Sequence, residues 1–143
     1  MEIERKFLVK KMPEDLETYP CLLIEQAYLC TDPVVRIRRQ DNSYYMTYKG
    51  KGMMVREEYN LPLNEKAYLH LKAKADGHII AKKRYRIPLG TLTAELDIFS
   101  VPKELTLVEV EFSTEDEALS FCPPDWFGED VTSDSRYHNS NMI

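Results

Sequence analysis

The stretch Met1-Glu2-Ile3-Glu4-Arg5-Lys6-Phe7-Leu8-Val9 decides how the rest of the chain is read. Side chains alternate across a strand, so Glu2, Glu4 and Lys6 share one face while Ile3, Phe7 and Val9 share the other. Two carboxylates about 7 Å apart on one face make half of a hard-cation site, which needs oxygen ligands from elsewhere to complete it. The lysine one step further can hold an anion beside that cation. The same three charges also suit the wet face of an ordinary strand, and these nine residues leave both readings open.

The alternation continues along the chain. Strands are expected over residues 22–29, 34–40, 44–49, 54–61, 79–87, 92–99 and 105–112. Turns fall at Asp32-Pro33, Asp41-Asn42-Ser43, Gly50-Lys51-Gly52, Pro88-Leu89-Gly90 and Pro102-Lys103. Residues 64–75 change to a helical period, with Asn64 as N-cap and Gly77 just past the end. Thr114-Glu115-Asp116-Glu117 is a capping-box pattern opening a short helix through Phe121, which Pro123-Pro124 stops. The tail from Asp125 reads as irregular until a helical turn near residues 136–142. Five strands, a helix, three strands and a helix make one α+β, mainly β, domain over residues 1–143.

Parity sorts the charges. One face takes Glu2, Glu4, Lys6, Arg36, Arg38, Lys49, Arg56, Glu58, Lys82, Arg84, Arg86, Glu95, Asp97, Glu109 and Glu111, and the other is mainly apolar. An open sheet with a solvated polar face satisfies this pattern. So does a sheet closed around its charges with helices outside. Two features tilt the balance toward closure. Cations dominate the third, fourth and sixth strands and carboxylates the seventh and eighth, whereas solvated faces mix signs. The face also holds eight basic and seven acidic groups, a set that, if enclosed, needs a divalent cation among the acids and a polyanion among the bases.

Composition bounds the function. The 143 residues carry 24 acidic and 19 basic side chains, a net charge of −5, which argues against an open nucleic-acid surface. Cys21, Cys30 and Cys122 have no metal-ligand spacing and read as reduced thiols of a cytoplasmic protein. No signal peptide or membrane span is expected. His70 and His78 lack partners at ligand spacing and read as surface or packing residues. Trp126 and Phe127 read as anchors for the tail, and Asp130, Asp134 and Arg136 as charges at one mouth of an enclosed cavity or simply in a solvated loop.

Glu-x-Glu-x-Lys at the start of the first strand resembles the signature of the CYTH, or triphosphate tunnel metalloenzyme, superfamily. Arg36-Ile37-Arg38, Thr47-Tyr48-Lys49-Gly50, Arg56-Glu57-Glu58-Tyr59, Lys82-Lys83-Arg84-Tyr85, Glu95-Leu96-Asp97, Val108-Glu109-Val110-Glu111-Phe112 and Arg136-Tyr137-His138-Asn139 follow in the family's order. His138 departs from the pattern, standing where relatives often carry lysine. The chain looks most similar to short bacterial inorganic triphosphatases. That resemblance implies a closed eight-stranded antiparallel β-barrel with helices packed outside.

It also implies a site. Arg36, Arg38, Lys49, Arg56, Lys82 and Arg84 would grip the phosphates, the arginine forks binding two oxygens each. Glu2, Glu4, Glu109 and Glu111 would hold Mg²⁺ or Mn²⁺. Glu58, Glu95 and Asp97 would bind a second ion or the attacking water, or else pair with neighbouring arginines. Lys6 and Tyr28 would remove the proton from that water, the lysine losing its own proton near neutrality. The chain has no Gly-rich nucleotide loop, which favours a small polyphosphate substrate handled by a monomer or homodimer. The rival readings are a thiamine or nucleoside triphosphatase, an adenylyl cyclase, or a polyphosphate-binding module without turnover.

Overall fold

A computed structural model describes residues 1–142. In chain order its elements are β1 (Glu2–Val9), β2 (Cys21–Thr31), β3 (Val34–Gln40), β4 (Ser43–Lys49), β5 (Val55–Arg56), β6 (Glu58–Leu63), α1 (Glu65–Lys72), β7 (Asp76–Leu89), β8 (Leu92–Val101), β9 (Leu105–Glu111), α2 (Glu115–Ser120) and β10 (Phe127–Asp130). Short 3₁₀ turns lie at Leu16–Thr18, Ser135–Tyr137 and Asn139–Asn141.

The strands hydrogen-bond in the order β10-β1-β9-β8-β7-β2-β3-β4-β6, every pair antiparallel. β9 occupies one edge of β1. Its other edge is shared by β5, which pairs Arg56 with Glu2 and Val55 with Ile3, and by β10, which pairs Phe127 with Val9. β5 runs into β6 through the single residue Glu57. Counting β5 and β6 as one interrupted strand, the sheet closes as an eight-stranded barrel with β10 added. Gly52 makes the approach to β5 possible: its φ is 130°, and a Cβ there would collide with the Val55 carbonyl.

Outward-facing side chains form two cores beneath the helices. Phe7, Leu96, Val108, Val110 and Phe112 pack with Ala118 of α2 and Phe127 of β10. Arg5, also facing outward, donates to the carbonyls of Ala118 and Phe121 at 2.9 and 3.3 Å and pairs with Asp130 at 2.8 Å. Ala27 and Ile37 pack against Tyr68 of α1. The caps form as expected: Asn64 accepts from Ala67 N at 2.7 Å, and Thr114 from Glu117 N at 3.1 Å. A third cluster has the parity of the charged face. Tyr28, Val34, Ile80, Phe99, Leu107 and Val131 fill one end of the interior, so the cavity is blind there.

Four local expectations are corrected. The strand expected over 54–61 breaks at Glu57, where the chain leaves β1 to join β4. The tail is not irregular throughout, because β10 completes the edge that β5 leaves open. Helix α1 ends at Lys72, and Gly77 lies inside β7 with a φ of 66° rather than terminating the helix. Asp130, Asp134 and Arg136 do not plug the barrel: Asp130 is spent on Arg5, and Asp134 and Arg136 pair with each other at 2.6 Å on the surface.

Candidate active site

The polar part of the interior is a cavity of about 240 Å³. Every sequence-expected site residue lines it except Lys82 and Asp97. Strand register explains the convergence. Glu4 lies opposite Glu111, Lys6 opposite Glu109, and Glu109 opposite Glu95, so β1, β9 and β8 carry the carboxylates side by side. Across the barrel, Tyr28 lies opposite Arg36 and Gln26 opposite Arg38. Arg86 is exposed and lies outside the cavity in an outer groove with Thr93 and Ser113.

The basic wall is braced from behind. Arg84 and Asp97 make a two-pronged pair at 2.7 and 2.9 Å, and Lys82 donates to the same carboxylate at 2.8 Å. The Lys82 and Asp97 side chains are fully buried. Lys82 therefore stands behind the cavity wall rather than in it, and both Asp97 oxygens are consumed by cations. Burial pushes the Lys82 ammonium down to about 7, against the pull of Asp97. Burial also opposes the charge on Arg84, but Asp97 outweighs it and holds the guanidinium well above its usual range. Arg36 donates to Thr47 Oγ1 at 3.3 Å, Thr47 to Asn60 at 2.6 Å, and Asn60 to Glu58 at 2.9 Å. The buried Arg36 Nε has no partner among the described residues. A buried cationic donor left unpaired is costly.

The acidic wall is only partly compensated. The Glu4 carboxyl has no hydrogen bond or ion pair among the described residues, and burial, then the charges of Glu109 and Glu2, push it up to about 8. Burial and a hydrogen bond with Glu58 push Glu2 up to about 7, although Lys49 sits 2.9 Å away. Burial alone would raise Glu58 too, but the bond from Glu2 and the charge of Lys49 hold it at about 2. Burial, then Glu58 and Glu95, raise Glu111. Glu109 differs: Lys6 at 3.4 Å and Arg84 at 3.6 Å override its burial and keep it well below the usual range. No three His, Cys, Asp or Glu side chains among the described residues converge in ligand geometry. The donors nonetheless fit a hard cation. They are all carboxylate oxygens, and Mg²⁺-like ions take one or two carboxylates, keeping waters and substrate oxygens as their other ligands.

The expected Lys6–Tyr28 pair is not assembled. Lys6 Nζ donates to the Tyr137 carbonyl at 2.8 Å, and Tyr28 instead accepts from Gln26 at 3.2 Å. Burial favours the neutral amine, but Glu109 and Glu4 outweigh it and raise the Lys6 pKa. In the metal-free protein these two carboxylates favour the charged ammonium.

Charge alone misses part of the wall. Gln40, Tyr45, Thr132, His138, Asn139 and Ser140 line the cavity. Tyr45 and Thr47 share the parity of Lys49, as Asn60 does that of Glu58, so parity applied to neutral polar residues would have found them. The C-terminal residues have no periodicity to betray them. They arrive because Val131 N donates to Lys6 O and Lys6 N to Thr132, which lays the tail along β1. His138 thus reaches the site that its departure from the family pattern had left open; burial, then Lys6, depress its pKa.

Comparison with known proteins adds to this geometry. The sequence profile of the CYTH domain matches residues 1–137. An inorganic triphosphatase of Nitrosomonas europaea is 43% identical, aligning over 99% of this chain and 95% of its own length. One from Acetivibrio thermocellus is 34% identical over 99% and 92%. A crystal structure of an inorganic triphosphatase superposes with a TM-score of 0.71 at 38% identity, covering 99% of this chain and 93% of that one.

Proposed function

This chain belongs to the CYTH domain family, and from that footing we infer that it is a metal-dependent hydrolase that cleaves the terminal phosphoanhydride of inorganic triphosphate. One observation carries the reading. A single cavity is lined by Arg36, Arg38, Lys49, Arg56 and Arg84 together with Glu4, whose carboxyl has no side-chain partner among the described residues. Such a cavity calls for an anion and a cation together, which is what a metal–polyphosphate complex supplies.

Arg36, Arg38, Lys49, Arg56 and Arg84 bind the phosphates, and their fixed charges stabilise the negative charge spread over the transferred and leaving groups. Glu4 and Glu111, unpaired among the described residues, would hold Mg²⁺ or Mn²⁺ together with Glu2 from its pair with Lys49, with Glu109 beside them already compensated by Lys6 and Arg84. Such an ion, when bound, neutralises phosphate charge and orients water for attack. Asp97 and Lys82 keep Arg84 aimed at the substrate, while Glu58 holds Lys49 and the Thr47–Asn60 chain behind Arg36. Lys6, held charged, adds to the cationic field and does not act as the base.

Size and lining support a small inorganic substrate. Val34 and Met53 are the only aliphatic residues lining the cavity among the described residues, and the charged and polar side chains that make up most of the rest suit a small, highly charged inorganic anion. Every residue of the site comes from one chain, within one domain. No helix among the described residues is long and apolar enough to cross a membrane. The free thiols of Cys21, Cys30 and Cys122 are in keeping with a reducing, cytoplasmic setting.

The test is phosphate release from tripolyphosphate, ATP and thiamine triphosphate, each with Mg²⁺, Mn²⁺ or chelator. Release from tripolyphosphate above the other two, abolished by chelator, is expected. Preference for ATP or thiamine triphosphate would overturn the substrate assignment. Tight binding of tripolyphosphate without turnover under every condition would make the protein a polyphosphate-binding module instead.

A further inference from the structure

Gln26 is fully buried and does not touch the cavity, yet it joins two side chains that do. Its Oε1 accepts from Arg38 Nε at 3.0 Å, and its Nε2 donates to the Tyr28 hydroxyl at 3.2 Å. Chemistry dictates this orientation. A guanidinium has only donors, so the amide oxygen must face Arg38, and the amide nitrogen is thereby turned to Tyr28. That nitrogen can only donate, so the Tyr28 oxygen must accept and its own proton must point elsewhere. The proton has no acceptor among the described residues. Tyr28 is 2% exposed and lines the cavity.

Tyr45 provides the contrast. It accepts from Arg38 Nη1 at 3.3 Å and passes its proton to Gln40 Oε1 at 3.1 Å, so it has no proton left for a ligand. With Nε and Nη1 both tied to neutral partners, Arg38 keeps its Nη2 edge free.

We propose that Gln26 is a positioning residue that presents the Tyr28 hydroxyl as a hydrogen-bond donor to a phosphate oxygen of bound triphosphate, beside the free edge of Arg38. The assignment rests on the triphosphate reading of the cavity. It makes Tyr28 a donor to the substrate rather than a partner of Lys6. No proton is transferred; Tyr28 gives a hydrogen bond to an oxygen that gains negative charge.

A double-mutant cycle of Gln26→Glu and Tyr28→Phe tests it. A carboxylate at position 26 only accepts, so Tyr28 would turn its proton away from the cavity. Tyr28→Phe should then cost about tenfold or more in kcat/KM for tripolyphosphate with Gln26 present, the loss of one bond to a charged acceptor, and under about twofold in the Gln26→Glu background. The same factor in both backgrounds would overturn the proposal. The cycle is repeated by calorimetry of tripolyphosphate binding in chelator, so a protein that binds without turnover still decides the donor role. A wild type that neither cleaves nor binds tripolyphosphate would refute the triphosphate reading, and this assignment with it. Should Gln26→Glu not fold, Gln26→Met serves in its place. Loss of the amide should then raise KM by loosening Arg38 and shrink the Tyr28→Phe effect, whereas an unshrunken effect with unchanged KM would sink the proposal.

Discussion

Replacing Glu4 with glutamine should stabilise the metal-free protein near neutral pH and do little in acid. The Glu4 carboxyl is held at about 8 in the fold against an ordinary value of 4.5. Below 4.5 it is neutral in folded and unfolded chains alike and costs nothing. Above that, the unfolded chain ionises while the folded one keeps its proton, so stability falls as pH rises and goes on falling until pH passes about 8. Between about pH 5 and pH 7.5 these two values imply a loss of about 3 kcal/mol, trimmed to about 2 kcal/mol by water reaching the cavity. Glu2 and Lys82, each at about 7, titrate in this window too, but both proteins carry them, so only the coupling of Glu2 to Glu4 enters the difference. Urea unfolding followed by circular dichroism, at several pH values in chelator, measures it. Wild type should lose the stated amount relative to Glu4→Gln on going from about pH 5 to about pH 7.5. Saturating Mg²⁺ or Mn²⁺ should reverse the order, because the ion replaces the proton in wild type only. Parallel pH curves in chelator, or equal stabilisation of both proteins by metal, would refute the claim that an uncompensated carboxylate awaits a cation here.

Glu111→Gln, on the cross-strand partner of Glu4, should abolish phosphate release from tripolyphosphate while leaving the fold intact by circular dichroism; full activity would remove Glu111 from the metal set. Asp97→Asn should destabilise by about 3–5 kcal/mol, because it leaves the buried Lys82 and Arg84 uncompensated, and a loss under about 1 kcal/mol in chemical denaturation would show that the triad is not desolvated as described. Phe7→Ala should cost about 3–5 kcal/mol, since Phe7 is 1% exposed and packs 5.0 Å from the Phe127 ring; an unchanged denaturation midpoint would contradict the packing of β10 onto β1.

Period-two alternation made the barrel strands and their inward face legible, because a strand buried on one side must alternate. What the alternation could not convey was how the sheet closes. Two pairs between β5 and β1, and the break at Glu57, are decided by tertiary geometry and leave no repeat in a two-residue strand. For the site, the charged residues were legible by parity, but depth along the strand was not. Lys82 and Arg84 have identical parity, yet one is buried under the wall and the other stands in it. Lys6 shows the same limit. Its charge state depends on Glu4 two positions away and, more strongly, on Glu109 more than a hundred positions away, and a lysine among cations and a lysine among carboxylates look the same when the second carboxylate is that distant in sequence. Neutral residues such as Gln26 were visible on the correct face but carried no charge to single them out.

Because β1 lends one margin to β5 at its start and to β10 and the tail at its end, the last wall of the cavity is made of the earliest and latest parts of the chain. Lys6 and Tyr137 meet across a separation of 131 residues. During synthesis the strands from β1 to β9 can associate while this seam still gapes, and water floods the charges until residues 127–140 have emerged and settled. A fragment ending at β9 would retain the β5–β1 contact and the cavity's carboxylates and arginines, but it would lack Thr132, His138, Asn139 and Ser140, which complete the wall.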